Sequence, residues 1–229
     1  MSDNDDTHGV WGVTADGQYQ ERLPGTEDID FPNSLAFDKV GNLYVTDSFG
    51  GAIWRIPPGG VAEVWVEDQL LTTDEPGCSI GANGIAYRKH GLYVANTCES
   101  LILRFPIEKD CSAGIPEVVF DGTTPNPAFP FWPDGLALDV HGMIYTANYL
   151  MSQLVRISPE NGSIEVLASF TDGDPIDEPA SLAFGTGKGE RKSVFITNFA
   201  RFGIPPQPPA SIGTSVVKIP VDTPGLPLP

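Results

Sequence analysis

The chain has 229 residues, 41% of them hydrophobic, and a formal net charge of −17. That length and apolar share allow one sizeable core, and the negative field disfavours nucleic acid and anionic membranes as partners. No run approaches the ~20 apolar residues of a membrane-spanning helix, and the acidic start MSDNDDTHG does not read as the positively charged and apolar regions of a secretion signal.

Gly and Pro, at 25 and 22 residues, punctuate the whole chain rather than one linker, which suits many short strands joined by tight turns. His8–Thr14 (HGVWGVT) and Gln18–Leu23 come first and look like the last two strands of a four-strand unit. PNSLAFDKVGNLYVTDS follows from Pro32, ANGIAYRKHGLYVANT from Ala82, PDGLALDVHGMIYTANY from Pro133 and PASLAFGTGKGERKSVFITNF from Pro179. Each reads as an apolar strand, a turn carrying Gly and a second strand, and the copies recur about every 50 residues. A third strand follows each copy (AIWRIPP, LILRFPI, QLVRISP, SVVKIPV), and a fourth follows the first three (AEVWVE, PEVVFD, SIEVLAS). No segment has convincing helical periodicity. Four short antiparallel strands per repeat make a propeller blade.

The fold class is therefore all-β: a β-propeller of four-stranded blades, here about four and a half of them, open or incomplete. Residues 1–9 read as a frayed N-terminus and 10–229 as one domain. Within it, a half-blade covers 10–30 and blades start near 31, 81, 132 and 178. Glycines in Val40-Gly41-Asn42, Lys89-His90-Gly91 and Val140-His141-Gly142 are placed to supply positive φ at the first hairpin of each blade. Ser215–Val221 is the last strand, and a Pro-rich stretch, Pro205–Pro209, forms an inserted loop before it.

At these repeats the chain resembles the family of gluconolactonases, regucalcin (senescence marker protein) and luciferin-regenerating enzyme, close to diisopropyl fluorophosphatase and paraoxonase. The resemblance runs from about Val10 to Pro229. It implies a six-bladed type of propeller with a divalent cation, usually Ca²⁺, at the centre of one face. The family's ligands are a Glu from the first blade and Asn or Asp residues opening later innermost strands. Asn33, Asn83 and Asp134 match the Asn, Asn and Asp of that set. Ala180 holds the corresponding position in the last repeat, and the Glu has no counterpart, as in a fragment lacking the N-terminal blades.

The residues support that mapping independently. Equal register in rotated copies places equal atoms around one axis, and amide and carboxylate oxygens are hard ligands suited to Ca²⁺. A second row, Asp47, Asn96, Asn148 and Asn198, ends the second strand of each repeat on the same face. It could contact substrate or support the first row, and Asn and Asp also serve strand ends by bonding backbone groups. His90 and His141 fall on the opposite face, and no G-x-S-x-G or Ser/His/Asp arrangement is present.

The expected function is a calcium-dependent lactonase- or esterase-type hydrolase, inactive or weakened where the family's Glu is missing. Asp134 would be ligand and base or nucleophile, acting on a small-molecule substrate. The alternative is a non-catalytic propeller of the NHL type that binds a partner across one face. Open blade edges would favour self-association. Cys78 and Cys98 fall in loops on one face and could pair; three reduced thiols are the other possibility.

Overall fold

The computed structural model describes residues 7–123, 130–200 and 213–227. Most of the N-terminal segment expected to fray and the Pro205–Pro209 loop lie outside the described residues. A short hairpin, β1 (Trp11–Val13) and β2 (Gln20–Arg22), comes first. The first blade is β3 (Pro32–Phe37), β4 (Leu43–Asp47), β5 (Ala52–Ile56) and β6 (Glu63–Glu67). The second is β7 (Ala82–Tyr87), β8 (Gly91–Asn96), β9 (Leu101–Pro106) and β10 (Glu117–Asp121). The third is β11 (Pro133–Leu138), β12 (Ile144–Asn148), β13 (Gln153–Ile157) and β14 (Ile164–Ser169). The fourth has three strands, β15 (Pro179–Phe184), β16 (Ser193–Asn198) and β17 (Ser215–Pro220). Every blade is an antiparallel meander, the topology that short hairpin turns permit. The protein is an all-β propeller, and its described helical residues are confined to three single 3-10 turns.

Blades pack face to face through alternation of side chains. Leu92 and Val94 of β8 face the first blade beside Ala36, Tyr44 and Ile53. Tyr93 and Ala95, one residue out of step, face the third blade beside Leu136, Ile144 and Val155. A strand with period two and both faces buried has to be apolar throughout, as these are. The third and fourth blades share Tyr145, Leu154, Leu182, Val194 and Ile196. The hairpin contributes Val10, which packs with Ile29, Leu43, Val45 and Ile56 over the outer part of the first blade.

An ion pair repeats on the outer strands: Arg55 with Glu63, Arg104 with Glu117 and Arg156 with Glu165. In the third copy Arg156 also reaches Asp222 at 2.8 Å. The Arg156 guanidinium is held strongly protonated, first by its bond to the Tyr145 hydroxyl, against the opposing effect of burial.

Three departures from expectation have local causes. Leu35 and Phe37 of β3 are 53% and 51% exposed, because among the described residues no further innermost strand packs on that face. At the first hairpin of the second blade, positive φ falls on Lys89 (47°) and His90 (57°), whereas Gly41 and Gly142 take it in the first and third. Gly91 itself lies beside the Arg104 guanidinium, which a Cβ there would have to push aside. After β17 the chain makes no fourth strand among the described residues. It crosses beneath the neighbouring blade, with Leu226 N–H donating to the Leu138 carbonyl at 2.9 Å and Val140 N–H to that of Pro224 at 3.1 Å.

Within the described strands, β2 pairs only with β1 and β17 only with β16, so no ladder joins the two ends. The family resemblance implies six blades; the described residues form four blade sheets and the hairpin. No helix among the described residues is long and apolar enough to cross a membrane.

Candidate functional site

The innermost strands β3, β7, β11 and β15 line a channel of about 860 Å³. In each, the ladder to the second strand shifts register beside the residue that opens the repeat: between Pro32 and Leu35, Ala82 and Ile85, Pro133 and Leu136, and Pro179 and Ser181. Such bulges re-aim a side chain out of the normal alternation. They coincide with Asn33, Asn83, Asp134 and Ala180, and give those four residues a shared local geometry.

Two glycines draw the middle of this row together. A Cβ on Gly84 would meet the Asp134 carbonyl oxygen at 2.4 Å, and one on Gly135 would meet Ser181 Cα at 2.6 Å. Only hydrogen at these positions lets successive innermost strands approach so closely. Asn83 is 4% exposed and its side chain hydrogen-bonds the Asp134 carboxyl. Burial is the dominant influence on that carboxyl and pushes it up to about 7, while the Asn83 bond pulls the other way. Asn33, at the uncovered first blade, is exposed.

A set of hydroxyls that the sequence reading passed over holds this row. Asn33 Nδ2 donates to Ser48 Oγ at 2.9 Å, and Ser48 Oγ donates on to the Ala82 carbonyl of the next blade at 2.5 Å. Asn83 Nδ2 donates to Thr97 Oγ1 at 2.9 Å, and Thr97 Oγ1 donates to the Pro133 carbonyl at 2.7 Å. The equivalent residue of the third blade is Tyr149, whose hydroxyl donates to Glu178 Oε2 of the fourth at 3.4 Å. Ser48, Thr97 and Tyr149 each follow a member of the second row, so the signal was present in the repeat alignment, one position further along.

The second row, Asp47, Asn96, Asn148 and Asn198, is buried and committed to main-chain groups of the blade connections. Asp47 accepts from Phe31 and Gly50 N–H at 2.9 Å each. Asn96 donates to the Leu70 and Thr72 carbonyls at 2.9 and 2.7 Å. Asn148 accepts from Trp132 N–H at 3.1 Å, and Asn198 from Asp177 N–H at 3.0 Å. These bonds clamp the segment entering each innermost strand, and so place the first row.

Two further links frame this face. Cys78 and Cys98 form a disulfide, with Cα atoms 5.9 Å apart, and Cys111 is free. Thr73 Oγ1 donates to Glu99 Oε1 at 2.7 Å beside that bridge.

The donor set fits a hard cation in kind. Asn33 and Asn83 each donate an amide hydrogen to a hydroxyl and Asn83 also bonds Asp134, so that the Oδ1 atoms can serve as neutral oxygen ligands beside one carboxylate. Among the described residues, no three His, Cys, Asp or Glu side chains converge.

The repeat sheets around the channel, with a bulge beside the residue that opens each innermost strand, define a β-propeller. A family model described as the SMP-30/gluconolactonase/LRE-like region matches residues 71–199, more than half of the chain, and a β-propeller repeat model matches 18–46. The chain belongs to the SMP-30/gluconolactonase/LRE-like family.

Among solved structures, luciferin-regenerating enzyme superposes with a TM-score of 0.74 at 15% identity, over 96% of this chain and 74% of that one. A putative gluconolactonase gives 0.69 at 17% identity, over 96% and 69%. A gluconolactonase from Xanthomonas campestris gives 0.62 at 19% identity, over 83% and 62%. At these identities the superpositions speak for the fold. No curated protein sequence matches the chain.

Proposed function

We propose that the mouth formed by Asn33, Asn83 and Asp134 is the site of a cation-assisted hydrolase acting on a lactone or related ester. The observation that carries this reading is the Asn83–Asp134 pair: a largely buried carboxyl, pushed up to about 7 and hydrogen-bonded by an amide, on two innermost strands that line the channel. A carboxyl with that value is part ionised at neutral pH, the condition in which a general base works best. Family membership supports the reaction class, and the names of two of the similar structures contain gluconolactonase.

In this reading Asp134 takes a proton from water as the water oxygen bonds to the lactone carbonyl carbon. The ring C–O bond then breaks, and the proton passes to the departing alkoxide. Asn83 fixes the Asp134 rotamer through its hydrogen bond, and Thr97 fixes Asn83. Asn33, exposed on the first blade, lines the channel. A bound Ca²⁺ would supply Lewis-acid polarisation of the carbonyl. With a single carboxylate among three protein oxygens, calcium affinity is expected to be weak and turnover low, because ligand charge sets affinity.

The test is calorimetric calcium titration at pH 8, with hydrolysis of a panel of sugar and aryl lactones followed in parallel. Binding lost in both Asn83→Ala and Asp134→Ala supports the site. Tight binding that survives Asp134→Ala sinks it.

A further inference from the structure

The channel between the innermost strands is apolar along most of its walls. Leu35 and Phe37 of β3, Ile85 of β7, Leu136 of β11, and Leu182 and Phe184 of β15 line it. Each of these strands has six residues, which at ~3.3 Å per residue gives walls about 20 Å long. The volume, about 860 Å³, lies in the range of small-molecule sites. Leu35 and Phe37 are left more than half exposed, and covering such surface with hydrocarbon is favourable in proportion to the area removed from water.

Among the described residues lining this channel, Arg191 is the only one with a charged side chain. It belongs to the turn between β15 and β16, at the end opposite Asn33, which opens β3. Its main chain is fixed there, because its carbonyl accepts from Gly225 N–H at 2.9 Å. Its guanidinium is exposed and has no ion-pair or hydrogen-bond partner among the described residues. Arg55, Arg104 and Arg156 differ in this respect, since each holds a glutamate on the outer strands. Glu190, next to Arg191, is taken by Lys218 at 3.2 Å.

In a chain of net charge −17, cations gather at this end. The turns that follow the innermost strands carry Lys39, Arg88, Lys89, Lys188, Arg191 and Lys192, six of the 13 lysines and arginines. The carboxylates of the same turns are three. Asp38 is buried and accepts from Asn42 Nδ2. Asp139 is fully buried and accepts three N–H groups of its own hairpin. Glu190 is the third. The rim is therefore positive against the sign of the whole protein, and favours an anion there.

We propose that the channel is a binding site for an amphipathic organic anion of the fatty-acid class. The hydrocarbon lies between β3, β7, β11 and β15, and the carboxylate pairs with the Arg191 guanidinium, whose planar fork matches it. A small polar anion would leave the apolar walls wet, and a cationic amphiphile would bring its charge to an unpaired guanidinium. The proposal goes beyond the hydrolase reading and requires neither calcium nor turnover at the other end of the channel.

The experiment is calorimetric titration in calcium-free buffer with decanoate, decylammonium, decan-1-ol and hexanoate, each below its micelle concentration. Decanoate should bind, and decylammonium should bind roughly tenfold more weakly although the net charge of the protein favours it. Hexanoate should bind far more weakly than decanoate, because it covers less of the walls. Arg191→Gln should weaken decanoate about tenfold, the scale of one hydrogen bond to a charged group, and leave decan-1-ol unchanged. Leu35→Ser, at an exposed position that spares the fold, should weaken decanoate and decan-1-ol alike.

Absence of decanoate binding would overturn the proposal, as would equal affinity for decanoate and decylammonium, or an Arg191→Gln variant that binds decanoate like the parent. Sedimentation gives the remaining outcome. A dimer that Leu35→Ser dissociates and decanoate leaves intact would assign the apolar walls to a second copy of the chain, and would overturn it too.

Discussion

Gly84 of the second blade lies against the main chain of Asp134 in the third, so closely that a Cβ at 84 would stand 2.4 Å from the Asp134 carbonyl oxygen and 2.6 Å from Leu136 N. Those atoms are backbone and cannot swing aside. Gly84→Ala must therefore separate β7 from β11 at the point where Asn83 meets Asp134. We expect it to cost about 1–3 kcal/mol, the usual range for overpacking, and to weaken calcium binding further than the stability loss alone would explain. Ala at Gly59, whose added Cβ meets nothing within 4 Å, is the control for an uncrowded glycine, and its positive φ adds a backbone strain that Gly84 lacks. Urea unfolding of both variants checks the stability, and calorimetry the site. Equal effects on calcium would remove the argument from close approach.

The second row predicts a contrast between a buried amide and a surface ion pair. Asn96 is fully buried, holds the Leu70 and Thr72 carbonyls, and accepts from Glu99 N–H at 3.1 Å. Asn96→Ala strands these groups, at a cost of about 2–4 kcal/mol. Arg104→Ala removes a 3.3 Å pair whose Glu117 partner is 59% exposed, and should cost less than about 1 kcal/mol. Denaturant midpoints give both values. A reversal of the order would mean that the row does not clamp the strand entries.

These clamps show where sequence reading succeeds and where it stops. Period-two apolar runs such as Leu92–Ala95, with their Gly-bearing turns, make blades legible, because a strand buried on both faces leaves few other compositions possible. Repeat alignment likewise makes Asn33, Asn83 and Asp134 legible as one row. What the alignment does not carry is hydrogen-bond direction between blades. Ser48 and Thr97 look like ordinary strand-end hydroxyls until Ala82 and Pro133 are placed opposite them. Glu178 is hidden for a further reason. It lies two residues ahead of the aligned position, where the other repeats carry Phe31, Gly81 and Trp132, none of them ionisable. The exposure of Leu35 and Phe37 depends on which strand precedes them in space, and the composition of β3 itself contains no sign of it.

The Cys78–Cys98 bridge closes a sequence separation of 20 residues and fixes the loop entering the strand that carries Asn83. Cys98 Sγ also accepts from Ile80 N–H at 3.2 Å. By loop-closure entropy the bond is worth about 3 kcal/mol. Replacing both cysteines by serine should lower the melting temperature, and a thiol reductant should lower that of the parent to a similar value without affecting the variant. A parent indifferent to reductant would show that the bridge does not form in solution or contributes nothing.

Asp134 gives the stability of the protein a pH dependence of defined sign. Burial raises its folded value to about 7 from 3.8, so the folded state binds the proton more tightly than the unfolded chain does. The contribution to stability is fully present below pH 4 and is lost as pH rises through 7, where both states are ionised and the slope ends. A shift of this size corresponds to at most about 4 kcal/mol. Other carboxylates in a chain of net charge −17 also respond to pH, so the informative quantity is the difference from Asp134→Asn. The amide cannot ionise and can still accept from Asn83. The variant should therefore lose less stability than the parent between pH 5 and pH 8. Calcium at the proposed site would act oppositely on the parent, because a cation there favours the carboxylate, so its stabilising effect should be larger at pH 8 than at pH 5 and absent in the variant. Unfolding free energies at the two pH values, each with and without calcium, measure all of this. Parallel pH profiles for parent and variant would mean that Asp134 is ionised in the folded protein, and the case for it as a base near neutral pH would fall with them.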